Sequence, residues 1–146
     1  MSGPARRTIL VAGLGTLLLR PARATPEAMR AAIAAFAGAA TPRDGRIVLD
    51  IASLVDNGNA VPVTLRVDSP MTEADHVQAI ALFNERNPNT EVALFQLGPR
   101  SGRAVVSTRI RLATSQQLVA LAKMNDGSVW RTAADVVVAL AACIES

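Results

Sequence analysis

The chain has 146 residues, half of them apolar, with one tryptophan, three phenylalanines, no tyrosine and a single cysteine. That is enough apolar chain for one domain with its own core, and too few aromatics for the stacking platforms used on nucleic acids. The formal net charge of +3 is a property of the N-terminus: residues 1–24 hold four arginines and no acid, so residues 25–146 carry −1 and no basic patch, which excludes a nucleic-acid partner.

Residues 1–24 read as a twin-arginine export signal. Arg6-Arg7 leads into the short apolar run Thr8 to Leu19, and Ala22-Arg23-Ala24 supplies a small-x-small cleavage site. The run is too short for a membrane span. A mature chain starting near Thr25 in a bacterial periplasm is the expectation, with no membrane insertion once the signal is removed.

Thr25-Pro26-Glu27 then presents a capping hydroxyl, a proline suited to the first helical position and an acid for the first turn. The spacing of Met29, Ile33 and Phe36 predicts a helix with one apolar stripe against the body. Gly38 and Thr41-Pro42-Arg43-Asp44-Gly45 end it, so residues 25–45 are expected to form a helix and a linker. From Arg46 the period changes to two. Strands are predicted at Ile47–Ile51, Val61–Val67, Gln78–Phe83, Glu91–Leu97, Val106–Leu112, Gln117–Met124 and Ser128–Leu140. The breaks between them include turns at Asp56-Asn57-Gly58-Asn59, Gly98-Pro99 and Asn125-Asp126-Gly127 and a polar loop from Asp68 to His76. Seven short strands after one helix predict a mainly β fold: an immunoglobulin-like antiparallel sandwich over residues 46–140 without an inter-sheet disulfide.

The chemistry legible in this chain is sparse. His76 is the only histidine, so no typical zinc or copper centre can be built around a second one, and a Ser-His-Asp triad would have to use His76 itself, with no nucleophile elbow to support it. No glycine-rich phosphate loop or nucleophile elbow follows a strand. Arg109 and Arg111 share a strand face and read as a solvated pair with some capacity to bind an anion. No metal, cofactor or catalytic residue is assigned. What remains is Cys143 in the terminal arm Ala141-Ala142-Cys143-Ile144-Glu145-Ser146. It cannot form an internal disulfide, and a leftover thiol in an oxidising compartment points to intermolecular bonding or reactivity. Three extended residues beyond Leu140 give it a reach of ~10 Å from the body.

Several stretches resemble the SoxY family, the sulfur-carrier subunit of the bacterial thiosulfate-oxidising system. They are Asp56-Asn57-Gly58 with Val61-Pro62-Val63, Ser69 to Val77, Asn87-Pro88-Asn89, Ser107 to Ala113, Met124-Asn125-Asp126-Gly127 and the cysteine-bearing arm. The resemblance implies a helix-preceded sandwich, twin-arginine export, a heterodimer with a SoxZ-like sandwich subunit, and covalent attachment of sulfur intermediates at Cys143 while separate periplasmic enzymes act on them. SoxY arms place glycines around the cysteine. Here Ala141, Ala142, Ile144 and Glu145 flank it, similar to a SoxY-related subgroup with an AACIE arm. Alanine and isoleucine restrict the backbone, and Glu145 with the terminal carboxylate disfavours the thiolate and repels anionic cargo. The expected function is a non-enzymatic periplasmic carrier of a sulfur species or related thiol-linked cargo. The alternative is a non-catalytic assembly module whose arm is a docking peptide.

Overall fold

The computed structural model describes residues 23–140. The leading segment to residue 22 and the arm from residue 141 lie outside them.

Helix α1 spans Pro26–Ala37, capped as its sequence dictates: the Ala28 N–H donates to Thr25 Oγ1 at 3.0 Å, and Gly38 takes φ of 63° while its N–H donates to the Ala34 carbonyl. Nine strands follow among the described residues: β1 Arg43–Asp44, β2 Ile47–Asp50, β3 Leu54–Asn57, β4 Val61–Val67, β5 Val77–Asn84, β6 Glu91–Gln96, β7 Val105–Ile110, β8 Gln116–Met124 and β9 Val129–Leu140. They form a six-stranded sheet, with main path β1-β9-β8-β5-β6 and β3 also on β9, and a three-stranded sheet ordered β2-β4-β7.

All seven predicted strands are present. The alternation along β7 holds: Ile110 and the following Leu112 are buried while Ser107, Arg109 and Arg111 are exposed. Two expectations are corrected. The linker at Thr41–Gly45 contains β1, and the first two residues of the supposed turn Asp56-Asn57-Gly58-Asn59 close strand β3. Both added strands run parallel to β9, so the sandwich is not purely antiparallel. β1 is held by packing that no local pattern announces. The ring of Trp130 stacks under the Arg43 guanidinium, 4.3 Å from its carbon to the ring centroid, and lies 3.6 Å from where a Cβ on Gly45 would be.

Two apolar clusters divide the interior. Leu65, Ile80, Leu82, Leu112, Leu118 and Met124 belong to the cluster between the sheets. On the outer face of the larger sheet, Ala81, Phe83, Val119, Leu121 and Val129 bury the stripe of α1, in which Met29 is buried and Ile33 and Phe36 are partly buried. Phe36 meets Phe83 edge to face at 6.0 Å and 70°. Strand parity explains the division: along β8, even residues face the other sheet and Val119 and Leu121 face the helix.

One buried polar residue organises the end of β5. Asn84 donates from Nδ2 to the carbonyls of Asn89 and Thr90 and accepts at Oδ1 from the N–H groups of Arg86 and Asn87, so every side-chain hydrogen-bonding position is filled. Asn84→Ala would leave several of these groups unpaired in a buried loop. The expected loss is about 2–3 kcal/mol, read from the urea midpoint of the variant against the parent.

Candidate functional site

The only chemically distinctive residue predicted from sequence, Cys143, lies outside the described residues together with Ala141, Ala142, Ile144 and Glu145. What the structure describes is the root from which that arm leaves. β9 is the longest strand, twelve residues from the β8–β9 hairpin to Leu140. Its antiparallel ladder with β8 ends at the pair Gln116–Val136. Beyond that point β9 is carried by β3, with Leu54, Val55 and Asn57 opposite Val137, Val138 and Leu140.

Individual hydrogen bonds fix this last stretch. The Val137 N–H donates to the Ser53 carbonyl at 2.8 Å and the Gly58 N–H to the Leu140 carbonyl at 2.9 Å. The Val138 N–H donates to Ser115 Oγ at 2.8 Å. Gly58 is also tied to the chain leaving the other sheet, because its carbonyl accepts at 2.8 Å from the N–H of Leu112, two residues past β7. Asn57 Oδ1 accepts from the Asn59 N–H, closing an Asx turn at this junction. The root of the arm is therefore attached to the larger sheet and to the chain leaving the smaller one.

The side chains around it are apolar. Val55 and Val138 pack partly buried on the core between the sheets. Their neighbours Leu54 and Val137, register partners on the opposite face, are 63% and 54% exposed, and Leu140 is 66% exposed. Helix α1 covers the outer face of the larger sheet elsewhere, at Phe83, Val119 and Leu121. An open groove of about 350 Å³ lies beside β3, lined by Ile51, Ala52, Leu54, Val55, Pro62 and Val63 among others.

Of the other residues singled out in the sequence, His76 falls away from this root, while Arg109 faces Pro62 of its groove across the β4–β7 ladder. His76 belongs to the loop before β5: its ring Nδ1 is 3.0 Å from the Thr72 carbonyl and its backbone N–H donates to Asn125 Oδ1. The same loop is clamped by Arg46, which pairs with both carboxylate oxygens of Asp75 at 3.1 Å. Arg109 and Arg111 are exposed and line a shallow groove of about 290 Å³ with Asn87, Pro88 and Glu91. Among the described residues no three His, Cys, Asp or Glu side chains converge on a metal-sized space, and no helix is long and apolar enough to cross a membrane.

Several stretches singled out in the sequence are staples between loops. Asn87 accepts from the Ala113 N–H and Gln116 Nε2 and donates to the Arg111 carbonyl. Asn125 donates from Nδ2 to the Ala74 carbonyl, joining the β8–β9 hairpin to the loop before β5. In that hairpin Asp126 accepts from Ser128 N–H and Oγ. Those bonds hold its carboxyl below the usual carboxylate range. Sequence reasoning missed the roles of Asn87 and Asn125 because their partners are 24 to 51 residues away.

Two sheets face to face, with a helix closing the outer side of the larger, define an immunoglobulin-like β-sandwich. A model of the family described as sulfur oxidation protein SoxY matches residues 33–143, a stretch that ends on Cys143. The chain belongs to the SoxY family. Among solved structures it is similar to the sulfur carrier protein SoxY from Chlorobium limicola f thiosulfatophilum, at 29% identity over 75% of this chain and 94% of that one, with a TM-score of 0.63. A superoxide reductase (neelaredoxin) from Ignicoccus hospitalis is similar at 18% identity over 79% of this chain and 94% of that one, TM-score 0.57. A putative superoxide reductase from Thermotoga maritima is similar at 20% over 68% and 93%, also 0.57. These last two likenesses concern the fold alone. No curated protein matches the chain.

Proposed function

We propose that this chain is a non-enzymatic carrier in sulfur oxidation, holding a sulfur intermediate on Cys143 and presenting it to separate enzymes in the bacterial periplasm. The observation that carries this reading is the SoxY match across residues 33–143, joined to a strand β9 that ends at Leu140, three residues before the chain's only cysteine. A thiol on a short tether beyond a firmly held strand has what a carrier needs: a nucleophile that can enter another protein's pocket and a body that does not unravel behind it.

Electron counting supports the division of labour. Joining a thiol to thiosulfate through a sulfur–sulfur bond releases one proton and two electrons. Loading therefore needs a redox partner as well as the carrier. The heterodimer partner in this reading is a SoxZ-like sandwich subunit. The Ala-Ala-Cys-Ile-Glu arm belongs to the AACIE subgroup, and its stiffer, acidic surroundings tune the carrier to acceptor pockets unlike those that receive a glycine-rich arm.

The experiment is an intact mass of the mature protein taken without reductant from the periplasm of its own host while thiosulfate is being oxidised. It is followed by mapping of the C-terminal peptide. A discrete sulfur-bearing adduct on Cys143 is the expected result. A free thiol, or only a disulfide-linked dimer, would overturn the carrier reading in favour of an assembly module whose arm is a docking peptide.

A further inference from the structure

Resting on the carrier reading above, we infer that the apolar surface beside the root of the arm, formed by Leu54, Val137 and the groove beside β3, is the docking surface for the enzymes that load and unload Cys143. The partner it fits is a pocket mouth with an apolar collar.

The length of the tether makes the argument. Cys143 is three residues past Leu140, so its extended reach is ~10 Å. An enzyme that encloses this thiol must bring the mouth of its pocket about that close to the Leu140 carbonyl. Because Gly58 binds that carbonyl and β3 holds the preceding residues, the origin of the reach is fixed on the body. Whatever receives the cysteine therefore meets the residues around β3 and the end of β9.

Those residues have the anatomy of a contact surface. Six large apolar side chains are exposed among the described residues, and two of them, Leu54 and Val137, share one face of this root, with Leu140 on the other face of β9. Leu54 and Val137 stand side by side in register, and Leu54 also lines the groove of about 350 Å³ with Ile51, Val55 and Pro62. Exposed charges of both signs border the patch: Asp50 on the groove, Asp56 beside Leu54 on β3, Asp135 two residues before Val137, and Arg109 opposite Pro62 across the β4–β7 ladder. An apolar centre with a charged border is how transient interfaces are built. A patch of this size supports the weak, rapidly released contact that a carrier visiting several enzymes requires.

The test uses the mature chain in complex with its second sandwich subunit. The probe is periplasmic extract of the source host supplied with thiosulfate, and the rate of adduct formation on Cys143 is followed by intact mass. The variant Leu54→Gln/Val137→Gln is neutral and leaves the charge around the thiol unchanged. It should slow loading at least tenfold, while Cys143 reacts with N-ethylmaleimide at the parental rate and the second subunit stays bound. Val48→Gln/Val105→Gln, which polarises exposed apolar residues of the other sheet, should load like the parent.

Parental loading rates in Leu54→Gln/Val137→Gln overturn the docking surface and leave the carrier reading standing. So does equal slowing by the control pair. Loss of the second subunit from the Leu54/Val137 variant overturns it as well, by assigning the patch to the heterodimer interface. A parent chain that never acquires an adduct overturns the carrier reading and the docking surface with it.

Discussion

Cys143→Ser is expected to reduce thiosulfate-dependent flux in the host to background while leaving the protein folded and bound to its partner subunit. The two halves of that expectation have separate causes. The thiol is the chain's only sulfur nucleophile capable of forming a reversible covalent link, and a serine hydroxyl neither ionises at neutral pH nor forms a sulfur–sulfur bond. Residue 143 is beyond the β9 pairing at Leu140, so its replacement touches no strand ladder among the described residues. Stability should stay within ~0.5 kcal/mol of the parent. Complementation of a deletion strain measures the flux, and a urea titration of the purified variant measures the fold. Normal flux with serine in place would leave the arm with a purely non-covalent role.

Phe83→Ala should be the most damaging single truncation on the helix side. Phe83 is fully buried between β5 and α1, against Phe36. Removing its ring loses apolar burial and leaves a cavity, at a cost of about 3–5 kcal/mol. For a body of this size that is a fall in Tm on the order of 10–15 °C. Phe36→Ala should cost less, because Phe36 is only partly buried. A double-mutant cycle should recover ~0.5–1.5 kcal/mol for the edge-to-face contact. If the double variant equals the sum of the singles, the two rings contribute area but no specific pairing.

The sequence made some elements plain and hid others for physical reasons. Thr25-Pro26-Glu27 carries its own capping chemistry, and the β7 alternation is sustained over seven residues, so α1 and β7 could be placed without tertiary knowledge. The short strands could not. Arg43–Asp44 is two residues between Pro42 and Gly45, and Asp56-Asn57 consists of turn formers. Their strand conformation comes from the edge of β9 and from Trp130 packed on Gly45. Tertiary pairing overrode local propensity in both places. The thiol was legible from composition alone, since one cysteine near the C-terminus is visible in any reading. The root that positions it was not, because Gly58 and Ser115 reach Leu140 and Val138 across gaps of 82 and 23 residues.

The path of β9 also makes the molecule its own ruler. Trp130, the only indole in the chain, is fixed near one end of this strand by Arg43 and Gly45, and Leu140 marks the other, ten residues or roughly 33 Å away along an extended ladder. A fluorescent acceptor attached to Cys143 needs no engineered donor and no removal of competing cysteines. Energy transfer from Trp130 then reads the excursion of the arm against a rigid baseline: weak when the arm continues outward from β9, stronger when it folds back along the strand.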